Sequence, residues 1–239
     1  MDDPRFENFN VTKTPYKIIN DQEISLYVTI PKEIHTEKCP VMVHFHGGFL
    51  SNGLEILSDV QDSLNTGRER PSSIAKATGS EILPDYEKVA VYGENAGGYL
   101  AIQAGLTRPD LVKAIISAYP MTYLDRPWYA EASIDKSPLA HLNYQNESLY
   151  PARIVEKMKE NQKVPFLLLM YGKEDWVVPC EHTVYFGKAW ENKFGNGTVV
   201  TKFESGEHGF DANATLETPW RKDGLEDVTK AWIDDGKAQ

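Results

Sequence analysis

The stretch Val89-Ala90-Val91-Tyr92-Gly93-Glu94-Asn95-Ala96-Gly97-Gly98-Tyr99-Leu100-Ala101 decides the fold of this chain. It opens with an apolar run typical of a strand that is buried on both faces. After a short turn it continues into small and apolar residues typical of a helix. Gly93 and Gly97 flank the turn and let the helix pack closely against the strand. This is the frame of a nucleophile elbow, which presents one side chain at the end of a strand. Here that residue is Asn95.

Short apolar runs alternate with helical patterns along the rest of the chain. Two strands, Tyr16–Ile19 and Ile24–Ile30, are predicted to form an antiparallel hairpin through Asn20-Asp21-Gln22. Further strands are predicted at Val41–His46, Val89–Tyr92, Ala114–Ala118, Phe166–Tyr171 and Val199–Phe203, and helices at Leu54–Leu64, Ala96–Leu106, Ala152–Glu160, Glu181–Trp190 and Leu225–Ile233. This order predicts an α/β fold, with a mostly parallel sheet flanked by helices, in a single domain over residues 1–239.

One long segment, residues 119–163, interrupts this alternation. It is rich in aromatic residues, namely Tyr119, Tyr123, Trp128, Tyr129, Tyr144 and Tyr150. The segment follows the carboxyl end of a predicted parallel strand, which is where α/β sheets bind their ligands. We interpret it as a cap over a pocket for an apolar ligand. An ordinary surface excursion with partly buried rings is the alternative.

Glycines also follow an apolar strand in Val41-Met42-Val43-His44-Phe45-His46-Gly47-Gly48-Phe49. A strand that runs into His-Gly-Gly lets the backbone turn tightly and aim its N–H groups outward. Such N–H groups are what an oxyanion hole requires. A purely structural turn is the alternative interpretation of this motif.

Two later loops carry a carboxylate and an imidazole. Asp175 follows the buried strand that ends at Tyr171, and His208 lies in Gly206-Glu207-His208-Gly209-Phe210 after the last predicted strand. A carboxylate at one strand end can hold an imidazole at the next. The chain order Asn95, Asp175, His208 is the order of elbow, acid and base. We therefore expect Asp175 and His208 to lie within hydrogen-bonding distance, with His208 facing Asn95.

Composition excludes several classes of protein. The formal net charge of −10 disfavours a nucleic-acid partner. Two cysteines, Cys39 and Cys180, cannot build a disulfide framework or a cysteine-rich zinc site, and no pattern indicates a metal or another cofactor. The start MDDPRFENFN lacks the apolar core of a signal peptide, and no apolar run is long enough to span a membrane. The sequence thus predicts a cytoplasmic protein without cofactors.

These motifs together resemble the α/β-hydrolase superfamily, in particular its carboxylesterase and hormone-sensitive-lipase-like branch, the α/β-hydrolase fold-3 group. The resemblance covers nearly the whole chain and rests on His46-Gly47-Gly48, Gly93-Glu94-Asn95-Ala96-Gly97-Gly98, Asp175 and His208-Gly209-Phe210. It implies hydrolysis of carboxylic esters, with a small apolar ester-like molecule as ligand. It also implies that Gly47, Gly48 and the N–H of Ala96 are oxyanion donors and that Asp175 and His208 are acid and base. The branch commonly has a third glycine where this chain has Phe49.

The central departure from the family is Asn95, which stands where the branch has its serine nucleophile. A carboxamide has no proton that His208 can usefully remove, and its oxygen is a poor nucleophile. Acyl-enzyme catalysis is therefore expected to be absent or strongly impaired. Two alternatives stay open. The chain is either a non-catalytic binder of small molecules, or a redirected enzyme in which His208 and Asp175 move protons without a serine.

A second departure is length. Residues 47–88 must connect the oxyanion strand to the elbow strand, where the family has two crossovers and an intervening strand. Two such units need roughly 55–60 residues. We infer that about 25 residues are missing near Leu50 and Ser51, that one internal strand is absent, and that residues 71–84 are helix and loop. Loss of this strand leaves a gap in the sheet or forces the N-terminal hairpin onto the oxyanion strand.

Overall fold

The computed structural model describes residues 6–34, 36–48, 53–69, 78–79, 81–125 and 146–234. Within them the chain begins with strands β1 (Phe9–Ile19) and β2 (Gln22–Pro31), which pair antiparallel as a sheet of their own. Asn20 and Asp21 connect the two strands, and both have positive φ angles, 49° and 62°. Two such residues form the tight hairpin turn whose twist matches that of the strands. The predicted antiparallel hairpin is confirmed.

The other five strands form one sheet. They are β3 (Lys38–Phe45), β4 (Leu83–Glu94), β5 (Val112–Ala118), β6 (Phe166–Gly172) and β7 (Val199–Glu204), and they lie side by side in that order. The pairs β4–β5, β5–β6 and β6–β7 are parallel. Nearly every residue of β5 and β6 is buried, which explains their continuous apolar sequences. The predicted α/β fold with a mostly parallel sheet is confirmed.

Five α-helices accompany the strands in the described part of the chain. They are α1 (Gly53–Glu69), α2 (Ala96–Thr107), α3 (Pro151–Lys157), α4 (Cys180–Phe194) and α5 (Pro219–Ile233). Helix α2 is buried along almost its whole length, because it is made of small and apolar residues that contact the sheet. Each predicted helix is present, with ends that differ by a few residues. None of the described helices is long and apolar enough to cross a membrane.

The chain divides into two compact units, each defined by the contacts within it. The first comprises Met1–Val41 and Ser58–Glu87 and contains the hairpin. There Lys17 forms ion pairs with Asp59 and Asp62 of α1, with N–O distances of 2.8 and 2.6 Å. The second comprises Met42–Leu57 and Lys88–Gln239. Its core holds the inner strands, α2 and the last helix. The single-domain assignment stays a prediction.

The connection between β3 and β4 bears on the proposed deletion. Among its described residues there is one long helix, α1, and no strand before β4. Residues 49–52, 70–77 and 80 lie outside the described part, so the missing strand stays a prediction. The expectation that residues 71–84 are helix and loop is wrong at its end, because Leu83 and Pro84 belong to β4. Leu83 donates its N–H to the carbonyl of Glu37 at 2.9 Å, which begins the strand earlier than its apolar core indicates.

The predicted cap is described only at its two ends. Residues 126–145, including Trp128, Tyr129 and Tyr144, lie outside the described residues. After them come a short 3₁₀ turn, Glu147–Leu149, and α3. Tyr150 is buried in a cluster with Tyr99 and Leu149, so it is a core residue at this position. The cap itself stays a prediction.

Two glycines set how closely the elbow packs. A Cβ atom at Gly93 would overlap the carbonyl of Gly97, and one at Gly97 would overlap the carbonyl of Phe45 at the end of β3. Any larger residue would therefore push α2 away from the strands that present Asn95. The G-x-x-x-G frame is a steric requirement of this turn.

We predict that Gly97→Ala lowers the free energy of unfolding by about 3 kcal/mol or more, because the added methyl group meets backbone that cannot move aside. Urea denaturation measures the change. Gly187→Ala on α4 is the control. Its Cβ meets only side-chain atoms, at 3.2 and 3.3 Å, and alanine is favoured over glycine in helices. A control change within about 1 kcal/mol is expected. Equal losses in the two variants would contradict this account of the elbow.

Candidate active site

Asn95 lies in the turn between β4 and α2, as the sequence predicts. Its φ and ψ angles are 53° and −118°, a conformation that residues other than glycine rarely adopt. Its N–H donates to the carbonyl of Ala118 at 3.0 Å, and its carbonyl accepts the N–H of Tyr99 at 3.1 Å. These two bonds hold the strained backbone between the sheet and the helix. The elbow thus presents the Asn95 side chain at the carboxyl end of the parallel strands.

The structure brings the three predicted polar side chains into one line. The amide nitrogen Nδ2 of Asn95 lies 2.7 Å from Nε2 of His208. On the other side of the ring, Nδ1 of His208 lies 2.8 Å from Oδ2 of Asp175. An amide NH₂ group can only donate, so Nε2 accepts and Nδ1–H donates to the carboxylate. In this arrangement Nδ1 carries the proton that faces Asp175.

Asp175 is fixed by the backbone of its own loop. Its carboxylate is fully buried, and Oδ1 accepts the N–H groups of Val177 and Val178, both at 2.9 Å. This leaves Oδ2 for His208. A buried carboxylate with three hydrogen bonds has one orientation available to it. The acid is therefore preorganised for the imidazole.

The loops that carry the acid and the base are joined next to the site. Glu174 accepts the N–H of Gly206 at 2.5 Å through its side chain, and its own N–H donates to the Gly206 carbonyl at 3.2 Å. Gly172 packs so closely against the same carbonyl that a Cβ there would overlap it. This reciprocal contact fixes the spacing between Asp175 and His208. Sequence analysis did not single out Glu174.

The three predicted oxyanion donors lie in three different settings. Ala96 begins α2 directly after Asn95, so its N–H is at the helix N-terminus. Gly48 has a φ angle of 136°, which favours glycine. The N–H of Gly47, however, donates to Oε1 of Glu94 at 3.3 Å. In this structure Gly47 holds a carboxylate of the elbow itself.

Glu94 connects the elbow with the His-Gly-Gly loop. Its Oε2 accepts Nε2–H of His44 at 2.8 Å, and the His44 ring stacks on Tyr92 with centroids 4.8 Å apart. Partial burial acts to raise the pKa of Glu94, but the hydrogen bond and charge of His44 and the N–H of Gly47 outweigh it, so this pKa is lowered. Burial, followed by the charge of Glu94, raises the pKa of Tyr92 to about 12. The predicted motifs contain these residues, but their spacing does not reveal the pairing.

Tyr119 is a further residue of the site that sequence analysis assigned to the cap. Its ring centroid lies 4.6 Å from that of His208, at an interplanar angle of 60°. The only signal in the sequence was its position directly after a buried strand, at the edge of the sheet that also carries Asn95.

The site contains an imidazole base, His208, and the group that faces this base is the side-chain amide of Asn95. Nε2 of His208 can accept a proton, and Asp175 can stabilise the imidazolium that results. The group that faces it is a carboxamide, whose nitrogen lone pair is delocalised into the carbonyl. Among the described residues, no three His, Cys, Asp or Glu side chains lie together as a metal site requires. The described site therefore contains acid–base groups without an ionisable nucleophile at the elbow.

A parallel sheet with an elbow after β4, a carboxylate after β6 and an imidazole after β7 defines an α/β-hydrolase. Residues 73–222 match the model of the prolyl oligopeptidase family, which is more than half of the chain. The chain belongs to the prolyl oligopeptidase family. The assignment to the superfamily is confirmed, whereas the hormone-sensitive-lipase-like branch stays a prediction.

Individual relatives are distant in sequence. The probable carboxylesterase M8 of a Phoma species is 20% identical over 228 residues, covering 76% of this chain and 71% of the relative. The Pyrococcus horikoshii acylaminoacyl peptidase superposes with a TM-score of 0.71 at 21% identity, covering 98% of this chain. Esterase 2 of Thermogutta terrifontis superposes with a TM-score of 0.67 at 16% identity, covering 98% of this chain and 97% of the esterase. This chain spans 43% of the length of the acylaminoacyl peptidase.

We predict that Glu94→Gln lowers the free energy of unfolding by about 1 kcal/mol near neutral pH, because a charge-assisted contact with His44 and Gly47 is lost. The lowered pKa gives the sign of the pH dependence. Stabilisation by Glu94 is complete above about pH 5 and disappears as the pH falls through the lowered pKa. Chemical denaturation between pH 3 and pH 7 measures both effects.

Glu226→Gln on the exposed side of α5 is the matched control, with an expected change within about 0.5 kcal/mol at each pH. A destabilisation by Glu94→Gln that is the same at pH 3 and pH 7 would contradict a role for the ionised carboxylate.

Proposed function

We propose that this protein is a carboxylesterase-like α/β-hydrolase in which covalent catalysis is lost or strongly impaired. The observation that carries the proposal is the 2.7 Å contact between Nδ2 of Asn95 and Nε2 of His208. A hydroxyl at this place would give its proton to the imidazole and attack an acyl carbon. The amide donates a hydrogen bond to the same nitrogen and keeps its proton.

The expected loss is large, because the first covalent step has no substitute. In a serine protease, removing the nucleophile or its histidine lowers turnover by about 2 × 10⁶-fold, and the remaining groups still exceed water by ~10³–10⁴. Residual turnover here would have to come from water attacking directly, with His208 as base. Such a route would lack the acyl-enzyme and its burst.

The rest of the site supports retained binding of an ester-like ligand. Asp175 is buried and hydrogen-bonded to His208, and the start of α2 offers the Ala96 N–H. The similarity to proteins described as a carboxylesterase and an esterase points to the same class of ligand. A protein that binds such a ligand without converting it would be a non-catalytic binder of small molecules.

A second candidate is supported by the intact Asp175–His208 pair, whose 2.8 Å hydrogen bond does not depend on a serine. Such a pair can move a proton in an elimination or condensation. The two candidates differ in one measurement. Substitution of His208 abolishes product formation by a redirected enzyme, whereas a binder forms no product and only melts at a higher temperature when its ligand is present.

We predict that the unmodified protein shows no burst and negligible turnover of short p-nitrophenyl esters, and that Asn95→Ser gains hydrolysis by at least about 10³-fold over it. The gain is expected because the acid, the base and the elbow are already aligned. Stopped-flow and steady-state assays measure it. Labelling by a fluorophosphonate should appear only in the serine variant.

Two control variants complete this experiment. Asn95→Ala removes the amide without supplying a nucleophile and should stay inactive, and His208→Ala in the Asn95→Ser background should remove the gain. Deamidation of Asn95 would supply a carboxylate, and intact-mass measurement detects it as a gain of about one dalton. Robust esterase activity of protein with an unmodified Asn95, abolished by His208→Ala, would refute the proposal.

A further inference from the structure

Tyr119 occupies a strained position at the end of β5. Its φ angle is 38°, in the left-handed region that residues other than glycine rarely adopt. Its N–H donates to the carbonyl of Met170 on β6 at 2.6 Å, and only 7% of the residue is exposed. A bulky residue persists in such a conformation only where the surroundings hold it there.

The ring of Tyr119 contacts the base of the site. Its ring centroid lies 4.6 Å from that of His208. The centroid of the Phe210 ring is 6.0 Å away, at an interplanar angle of 75°. Asn95 and Asp175 hold the two nitrogens of His208 along one direction. These two hydrogen bonds lie near the plane of the ring and resist small rocking motions out of that plane only weakly. A ring packed against the imidazole restricts such motion.

The hydroxyl of Tyr119 interacts electrostatically with Asp211. Burial, followed by the charge of Asp211 and then by a side-chain hydrogen bond with it, raises the pKa of Tyr119. Asp211 is itself buried and pairs with Arg221 of α5 at 2.9 Å. Arg221 also donates to the carbonyl of Ala214 at 2.6 Å. The guanidinium of Arg221 thus fixes the carboxylate of Asp211, which in turn interacts with the hydroxyl of Tyr119.

We propose that Tyr119 is a positioning residue for His208. The Arg221–Asp211 pair fixes the Tyr119 hydroxyl, and the Tyr119 ring then fixes the plane of the imidazole. Tyr119 transfers no proton in this scheme and acts through His208. The inference deepens the proposed function, because it names the group that keeps the base aligned at an elbow that carries an amide.

The test observes His208 directly in protein that retains Asn95, so it does not depend on any hydrolysis. Imidazole ¹⁵N and ring-proton NMR signals of His208, assigned by comparison with His208→Gln, report the tautomer and the ring current of Tyr119. The wild-type protein should show a protonated Nδ1, an unprotonated Nε2 and ring protons shifted by the neighbouring phenol.

Tyr119→Leu should remove the ring-current shift and move the two ¹⁵N signals towards each other as the tautomer becomes mixed. Tyr119→Phe and Asp211→Asn keep the ring and remove its anchor, so they should give a smaller change of the same kind. These two conservative variants carry the test if Tyr119→Leu fails to fold. Phe194→Leu removes an equally buried ring at the far end of α4 and should leave the His208 signals in place.

Unchanged His208 ¹⁵N signals in Tyr119→Leu, or in both conservative variants, would overturn the inference, as would an equal change in Phe194→Leu. In the Asn95→Ser background, Tyr119→Leu should also lower kcat by about 10- to 100-fold with KM within about twofold. The proposed function fails separately, through ester hydrolysis by unmodified Asn95 protein, and that result leaves the NMR outcome intact.

Discussion

The close approach of α2 to the strands at the elbow is the constraint on which the site depends. Because Gly93 and Gly97 carry no side chains, the helix begins within contact of the ends of β3 and β4. That approach forces Asn95 into its strained backbone conformation and aims its side chain at His208. The reciprocal contact between Glu174 and Gly206 joins the loops of Asp175 and His208, so that these two side chains align with Asn95. Side-chain chemistry at position 95 is thus separate from the geometry that presents it.

Because of that separation, the form of the elbow does not depend on which side chain stands at position 95. The strain is stored in the backbone, and the glycines and hydrogen bonds that maintain it do not involve the Asn95 side chain. An amide donates a hydrogen bond to Nε2 of His208 as a hydroxyl would, so asparagine gives this nitrogen a partner. The fold therefore accommodates either kind of side chain at position 95. The backbone of the elbow is preorganised independently of the chemistry that position 95 supplies.

The fold followed from the sequence because its signals are local and strong. Buried strands such as β5 and β6 are continuous apolar runs, and a glycine frame marks the elbow. The line of Asn95, Asp175 and His208 followed from chain order at the ends of parallel strands. The Glu94–His44 contact joins residues 50 positions apart, and the interactions of Tyr119, Asp211 and Arg221 connect the end of β5, a loop and α5. Packing alone brings those residues together, so no motif records them. The start of β4 was missed for a similar reason, since Leu83 is strand by pairing and not by apolar sequence.

The hairpin at the start of the chain contacts α1 through ion pairs, whereas the inner strands of the sheet are buried among apolar residues. A two-stranded ribbon alone is marginal in water, and here Lys17 ties it to α1 through two carboxylates that remain partly open to solvent. Interactions between such charges weaken as dissolved ions accumulate, whereas burial of apolar strands does not. The ionic strength of the surroundings therefore acts unequally on the molecule. Salt loosens the attachment of the amino-terminal ribbon while the strands that present Asn95, Asp175 and His208 stay assembled.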